Sequence, residues 1–331
     1  MPQKRSISVI IPNYNGRQLL ERYLPAAFRA LEKATVPFEV IVVDDASSDT
    51  SVEFVRSHYP EVGLLVNSIN QGFSFTCNQG IKSSQYELVM LLNSDVLLED
   101  DYFEHLWRYF EHPDSFGVMG QIINDQGKTE DAARMMAFQG VKFKATHFYY
   151  CKDPEKWTPT AYLSGANALI DRKKLLELGG FDEIYSPFYV EDVDLSLRAW
   201  RMGWKCYYDH RAICHHEVSS TTKKHHTKKK LYPVLYRNKF ILQAIHLDGM
   251  NLWKWRFQLI LLEILPRVLI GKWWIVRAFV AYKNKKPQIR RSKNKLKKLM
   301  QKHQGQKSLF DIKKDFFDPV KDWESFSTGE D

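Results

Sequence analysis

Four groups of side chains in this chain are equipped for chemistry. Asp44-Asp45 closes the apolar run FEVIVV, and Asn93-Ser94-Asp95 interrupts ELVMLLNSDVLL. Glu191-Asp192-Val193-Asp194 precedes a helical pattern, and His215-His216 follows an extended one. An acidic residue inside an apolar run cannot stay ionised in hydrocarbon without a partner. At a C-terminal strand end facing a ligand crevice the difficulty disappears. Asp95 would there hold a cation, and the cation would hold phosphates; otherwise it merely belongs to a turn. Asp44 and Asp45 point to opposite sides of a strand end. One then reaches a ligand, accepting a hydrogen bond from a base N–H or a ribose hydroxyl, while the other braces the loop; alternatively both cap a helix. Three carboxylates in a first helical turn suit its positive end, which is reason enough for them structurally. Neutral imidazole suits a divalent ion, and a surface pair is the plain alternative for His215-His216.

The elements that must position these groups alternate. Strands are predicted at Ile7 to Ile11, Phe38 to Val43, Val62 to Val66 and Leu88 to Leu92. Between them fall an amphipathic helix over Leu19 to Leu31, one carrying Val52, Phe54 and Val55, and one over Phe75 to Ile81. That alternation is an α/β unit with a parallel sheet, and each polar cluster falls at a strand end. A helix over Asp100 to Glu111 carries a core stripe. Gly117 to Ile123, Ala168 to Ile170 and Lys205 to Ile213 read as further strands, and Arg172 to Leu178 as a helix stopped by Gly179-Gly180. The first strand is not followed by GxGxxG, and GxxxxGK[ST] is absent, which excludes the dinucleotide fingerprint and a P-loop ATPase. Cys77, Cys151, Cys206 and Cys214 lack CxxC spacing, so neither a disulfide scaffold nor a structural zinc is indicated. The N-terminal MPQKRSISVIIPNYN reads as a first strand rather than a signal peptide.

SVIIPNYNG, EVIVVDDASSDTS, NQGFSFTCNQGI, LLNSDVLL, LSGANALIDRKKLLELGGFDE and YVEDVDLSLRAWRMGW occur in this order. Together they resemble the family 2 glycosyltransferases of GT-A fold, nearest the branch with bacterial rhamnosyltransferases, over roughly residues 5 to 222. The resemblance implies a Rossmann-like, mostly parallel sheet flanked by helices, an inverting mechanism, a nucleotide-diphosphate sugar (dTDP-, UDP- or GDP-linked) and a divalent metal, Mg²⁺ or Mn²⁺. It implies that Pro12 and Asn15 lie in the donor-binding first loop. Asp45 meets the base with Asp44 in support, and Asn70 and Gly72 contact the nucleotide. Asn93-Ser94-Asp95 stands for the DxD motif with one carboxylate replaced by an amide, leaving Asp95 as the certain acidic metal ligand. Ser164, Gly165 and Ala166 line the acceptor pocket, where small residues allow a sugar close to the backbone. Asp192 is the general base that such a transfer needs, with Glu191 and Asp194 positioning the loop or binding acceptor. Like charges and burial raise the Asp192 pKa, while a helix N-terminus lowers it. His215 or His216, with a slight preference for His215, meets the metal or diphosphate, followed by a hydroxyl among Ser219, Ser220 and Thr221. Residues 125 to 157, rich in aromatics and Met without a clean period, form an excursion over the acceptor side or a packed loop.

Past Thr222 the character changes. KKHHTKKK (223 to 230) opens a basic, helical, membrane-associating extension to residue 307, and 308 to 331 reads as a peripheral tail. The chain of 331 residues carries a net charge of +9, which suggests anionic company. Residues 250 to 282 mix Trp, Leu and Phe with single charges and never supply a clean spanning stretch. Aromatics flanked by Lys and Arg suit helices lying at an interface, here an anionic membrane surface, or else core helices and a homodimer contact. The expected location is peripheral, on the cytoplasmic membrane face, or cytoplasm if the extension is purely structural. The acceptor is then a saccharide or polyprenyl-linked saccharide. The competing readings are a sugar-nucleotide pyrophosphorylase and a non-catalytic nucleic-acid-binding protein. The first wants a basic Gly-rich loop after the first strand, and the second leaves the acidic strand ends unexplained; no nucleic acid partner is expected.

Overall fold

The computed structural model describes residues 2–124, 126–153, 155–216, 228–304 and 307–325. Uninterrupted apolar runs make the centre of its sheet. β1 (Ile7–Asn13), β2 (Phe38–Asp44), β3 (Gly63–Val66) and β4 (Leu88–Leu92) lie parallel in the order β3-β2-β1-β4. No residue of β4 is more than 2% exposed, as a strand covered on both faces requires. α1 (Arg17–Ala34) lays Leu20, Leu24, Ala27 and Leu31 on one side, joined there by Phe54 and Val55 of α2 (Ser51–His58). α3 (Phe73–Ser83) covers the opposite side with Cys77 and Ile81. A Cβ on Gly80 would overlap the Ile10 side chain, so glycine is what lets α3 lie this close to β1.

After β4 the chain makes β5 (Val96–Leu98) and β6 (Ser115–Ile123), which pairs with the short β7 (Thr129–Asp131). β8 (Arg134–Gln139) and β9 (Lys142–Tyr150) form an antiparallel hairpin apart from the main sheet. β10 (Thr158–Pro159) edges the main sheet, and β11 (Asn167–Asp171) joins β4 to β6, antiparallel to both. α4 (Arg172–Leu178) and α5 (Glu191–Arg201) lead to β12 (Lys205–His216), parallel to β6, whose far end pairs with β5. The result is the mostly parallel, helix-flanked, Rossmann-like sheet of the GT-A expectation, followed by a helical C-terminal extension.

Three stretches differ from the sequence reading. Residues 100–111 are not one α-helix: Glu104, Leu106 and Tyr109 N–H groups bond three residues back, and only Trp107–Glu111 is helical, as a 3₁₀ turn. The expected core stripe stands, with Tyr102, Phe103, Leu106, Trp107 and Phe110 buried. Residues 125–157 contain the β8–β9 hairpin, whose alternation is broken by a register shift between Arg134 and Met136. The segment after Ser308 is no peripheral tail up to residue 325. Ile312 and Phe317 are fully buried, Phe317 contacts Trp200, and Phe310 stacks on Phe138 at 4.1 Å.

The C-terminal helices span Lys228–His246, Gly249–Gln258, Leu265–Leu269, Trp274–Asn284 and Lys286–Lys302, with a wider π-helical turn at Leu259–Ile264. Phe240, Ile241 and Ile245 enter the same core as α3 and α5. Pro266 follows that π-helical turn in a run whose residues 264 and 265 are already helical, so the turn widens where the proline removes an N–H from the helical ladder. Among the described residues no helix is long and apolar enough to cross a membrane. The expected boundary at 222/223, the basic run up to residue 227 and Ser219, Ser220 and Thr221 lie outside the described residues.

Candidate active site

A cavity of about 480 Å³ opens at the C-terminal ends of β1, β2 and β4, where parallel strands leave ligand crevices. Pro12, Asp45, Asn70, Gly72, Asn93 and Asp95 line it. Asn15 and Asp44 stand behind the wall. Asp44 accepts from Asn13 Nδ2 (2.8 Å), the Ser47 N–H (2.8 Å) and Ser47 Oγ (2.6 Å). Asn15 donates its N–H to Ser47 Oγ (2.8 Å) and accepts from the Ser48 N–H (2.7 Å). It does so with φ at 51°, a left-handed conformation that Asn tolerates. Together they fasten the loop after β1 to the loop after β2. Asp45 turns the other way. Its carboxylate accepts from Asn67 Nδ2 (2.9 Å) and from the N–H groups of Gln71 (3.0 Å) and Gly72 (2.9 Å). Those three bonds fold residues 67–72 into a cavity wall and leave lone-pair capacity for a ligand donor.

The break in β4–β5 meets the end of β12. His216 Nε2 lies 3.4 Å from Asp95 Oδ1, and His216 Nδ1 lies 3.0 Å from Glu130 Oε2. Alternate side chains leave a strand on opposite faces, so His215 turns away and meets Glu99 at 2.9 Å. The preference for His215 therefore gives way to His216. Burial opposes charge on His216, but Asp95 and Glu130 outweigh it and push its pKa up to about 9. A divalent ion at this point would find the Asp95 carboxylate and the His216 imidazole. Asn93 Oδ1 is also close at hand in the cavity wall, buried and without a hydrogen-bond partner among the described residues. Among the described residues no group of three or more His, Cys, Asp or Glu converges as a complete cage. A sparse set of this kind fits a hard ion that takes one or two carboxylates and completes its shell with phosphates and water.

The residues expected on the acceptor side adjoin this cavity. The Asn93 N–H donates to the Ala166 carbonyl at 3.1 Å, tying the β4 end to the Ser164–Ala166 turn. A Cβ on Gly165 would lie 3.2 Å from Phe73 Cζ and 3.9 Å from Asp192 Cβ, so the turn runs between a cavity-lining aromatic and Asp192. Burial raises the Asp192 pKa, the Val193 N–H draws it back, and the Asp131 charge raises it again, to about 6. Burial thus outweighs the helix N-terminus. Glu191 is lifted still further, by burial and then by Asp192. Asp194 lies elsewhere, fully buried, taking Arg198 Nε (2.7 Å) and the Tyr185 hydroxyl (2.9 Å), with His246 Nε2 at 2.9 Å. Burial would raise its pKa, yet Arg198 and His246 hold it down to about 2. It is a strut between α5 and the helix Lys228–His246.

Sequence reasoning missed part of the wall. Pro187, Phe188 and Tyr189 line the cavity together with Asn13, Tyr14 and Thr76. Tyr189 and Val190 have φ of 77° and 79° immediately before Glu191, a conformation rarely held by a β-branched residue. The available signal was the SPFYV string just ahead of the acidic cluster. Glu130 was invisible because it lies in the stretch without periodicity.

A family model described as "Glycosyl transferase family 2" matches residues 8–179. N-acetylglucosaminyl-diphospho-decaprenol L-rhamnosyltransferase of Mycobacterium tuberculosis is 27% identical over 243 residues, covering 65% of this chain and 77% of that protein. Poly-beta-1,6-N-acetyl-D-glucosamine synthase of Staphylococcus epidermidis is 22% identical over 216 residues, 64% of this chain and 50% of its own length. Among solved structures, GalNAc-T7 with UDP, GalNAc and Mn²⁺ has a TM-score of 0.64 at 14% identity, over 97% of this chain and 58% of that one. Mannosyltransferase PcManGT of Pyrobaculum calidifontis, with GDP-Man and Mn²⁺, has a TM-score of 0.54 at 16% identity, over 92% and 89%. The likeness of these structures is one of fold. Because the family model spans more than half of the chain and covers most of the loops that line the cavity, from Pro12 to Asp95, the chain belongs to glycosyl transferase family 2 and is a glycosyltransferase of GT-A type.

Proposed function

We propose that the cavity holds the donor nucleotide, with its diphosphate at Asp95 and the reacting sugar toward Gly165 and Asp192. The observation that carries this reading is that Asp95 of the cavity wall is backed by His216 and lies close to the Ser164–Ala166 turn, whose Gly165 runs beside Asp192. Asp45 receives the base, and Pro12, Asn70, Gly72 and Asn93 follow the nucleotide. Asn15 and Asp44 keep the two donor loops together.

Asp192 takes the proton of the acceptor hydroxyl as general base. The freed oxygen attacks the anomeric carbon from the face opposite the diphosphate. The bond from that carbon to the diphosphate oxygen breaks as the new one forms, its electron pair leaves with the diphosphate, and the configuration inverts. Asp95 and His216 are the residues that would hold Mg²⁺ or Mn²⁺, whose positive charge would stabilise the leaving diphosphate. Ser164, Gly165, Ala166 and Glu191 shape the acceptor side, and Asp194 anchors it from behind.

The finer reading is an L-rhamnosyl-type transfer to a polyprenyl-linked saccharide, supported by the Mycobacterium tuberculosis relative's name and its 27% identity. Residues 5–222 then carry the reacting groups, and the extension over 223–307, besides packing on them through Lys228–His246, holds the enzyme peripherally on the cytoplasmic membrane face. A screen of UDP-, GDP- and dTDP-sugars by thermal shift, with Mn²⁺ and with EDTA, tests the donor reading. One nucleotide class should raise the melting temperature with metal, and dTDP-rhamnose is the expected best. If no nucleotide sugar shifts it under either condition, the donor assignment fails.

A further inference from the structure

The cavity wall at 187–189 is held from two sides, and one side lies far along the chain. On the donor side, the Phe73 N–H donates to the Pro187 carbonyl at 3.0 Å. A Cβ on Gly72 would stand 2.6 Å from that same oxygen, so nothing larger fits between the two loops. On the other side is Asn238, fully buried on the helix Lys228–His246. Its Nδ2 reaches three carbonyl oxygens, those of Tyr185 (2.6 Å), Phe188 (3.0 Å) and Tyr189 (2.9 Å). Arg237 adds a bond from Nη2 to the Ser186 carbonyl (2.6 Å) and donates from Nε to Asn238 Oδ1 (2.9 Å), which fixes the amide. The clamped segment contains the left-handed Tyr189 and Val190 and runs directly into Glu191 and Asp192. Left-handed non-glycine backbone persists only where its surroundings over-determine it.

We infer that Asn238 is a positioning residue for sugar transfer: it holds the Tyr185–Val190 segment against the donor loop and so sets both the cavity wall and the approach of Asp192. The inference rests on the reading of this cavity as the donor site. It also makes the helix Lys228–His246 part of the catalytic unit, although it lies beyond the residues that the family model matches.

A plain structural role for Asn238 is separable, because the same helix carries a matched control. Gln243 is equally an internal amide, accepting from the Phe143 N–H (3.0 Å) and donating to the Phe143 carbonyl (3.0 Å), but it serves the β8–β9 hairpin away from the cavity. The full chain is compared as wild type, Asn238→Ala, Gln243→Ala and Arg237→Ala. Three readouts are taken: hydrogen exchange of the 186–193 amides without ligand, nucleotide affinity by calorimetry, and turnover per folded molecule. Asn238→Ala is expected to speed exchange in that segment, weaken the nucleotide about tenfold and lower turnover about 10²-fold, the scale of a reacting group displaced by about an ångström. Gln243→Ala should lower the melting temperature while keeping wild-type exchange at 186–193, affinity and turnover. Arg237→Ala, the milder lesion should Asn238→Ala not fold, should move the same readouts in the same direction. The inference is overturned if Asn238→Ala and Gln243→Ala alter the readouts alike, or if Arg237→Ala alters none. If exchange rises as expected but even the wild type binds no nucleotide, the donor reading falls and the positioning role stands.

Discussion

His216 and Asp95 stand 3.4 Å apart across the junction of β12 with the break after β4, whereas His215 faces Glu99 on the other side of the strand. The two strands are joined in register, His216 opposite Val96 and His215 opposite Leu97. A period of two therefore decides which histidine meets the acidic residue of the cavity wall.

Metal-dependent donor binding should follow that geometry. Asp95→Ala is expected to abolish turnover, and His216→Ala to weaken nucleotide binding in Mn²⁺ but hardly in EDTA. His215→Ala should behave as wild type. Calorimetric titration of the four proteins in both buffers is decisive. Equal affinities with and without metal would remove the ion from the mechanism, and equal losses for the two histidine variants would remove the distinction.

Asp192→Asn keeps the shape of the carboxylate and removes its basicity. Turnover should fall by about 10² to 10⁴, with nucleotide affinity retained. The base acts only when ionised, and burial raises its pKa to about 6. Wild-type turnover should therefore fall as the pH drops through that value, well above the ordinary carboxylate range. A pH–rate profile without that acidic limb, or an unaffected Asp192→Asn variant, would move the base to another residue.

The parallel half of the fold was legible because its strands are continuous apolar runs with polar ends, and Asp95 and the Asp44-Asp45 pair could be placed at strand ends from that pattern, while the choice of Asp45 over Asp44 and the part of Gly72 came only with the family resemblance. The antiparallel half was only partly legible. β11 and β12 are recognisable as strands, but nothing in their local sequence says that His216, and not His215, would face Asp95; that depends on pairing with β5. Asp194 was grouped with Asp192 by adjacency, yet two residues along a helix face different neighbours, and Asp194 turns into the core toward Arg198 and His246. Residues 308–325 look peripheral because Lys and Asp dilute their aromatics. Their burial depends on a groove between α5 and the β8–β9 hairpin that no local window contains.

Removing the strut should cost stability more than chemistry. Asp194→Ala leaves Arg198 buried without its carboxylate, a loss of about 3–5 kcal/mol for a broken buried pair. The folded pKa of Asp194, held down to about 2, lies below its ordinary 3.8. Its contribution is thus complete above about pH 4 and disappears as the pH falls towards 2. Urea unfolding across pH should show the wild-type advantage over Asp194→Ala shrinking in that acidic window. A variant within about 1 kcal/mol of wild type at neutral pH would mean that Asp194 is no strut.

The membrane reading makes the last prediction. Along Gly249–Ile264 the inner stripe is Trp255, Leu259 and Glu263, all buried, with Glu263 paired to Lys142 and Arg267. The outer stripe is as apolar as a core, yet faces outward: Trp253 is 65% exposed, Phe257 61% and Leu269 77%. Trp253 and Phe257 lie parallel to each other. The exposed charges around them are all basic, namely Lys254, Arg256, Lys272 and Arg277, and Glu263 is the sole acid between Gly249 and Lys307. A soluble partner of ordinary charge has no special claim on such a face. An anionic bilayer suits both parts of it, taking the aromatics at the headgroup level and attracting each nearby cation by about 1 kcal/mol. The full chain should co-sediment with phosphatidylglycerol-containing vesicles more strongly than with neutral phosphatidylcholine vesicles. Salt should weaken that binding without abolishing it, because only the charged part is screened. Trp253→Ser with Phe257→Ser should release the protein at any salt and leave nucleotide binding untouched. If the full chain ignores anionic vesicles at low salt, the bilayer is not the partner. Should the same double substitution instead split a dimer in sedimentation equilibrium, a second copy of the chain covers this face.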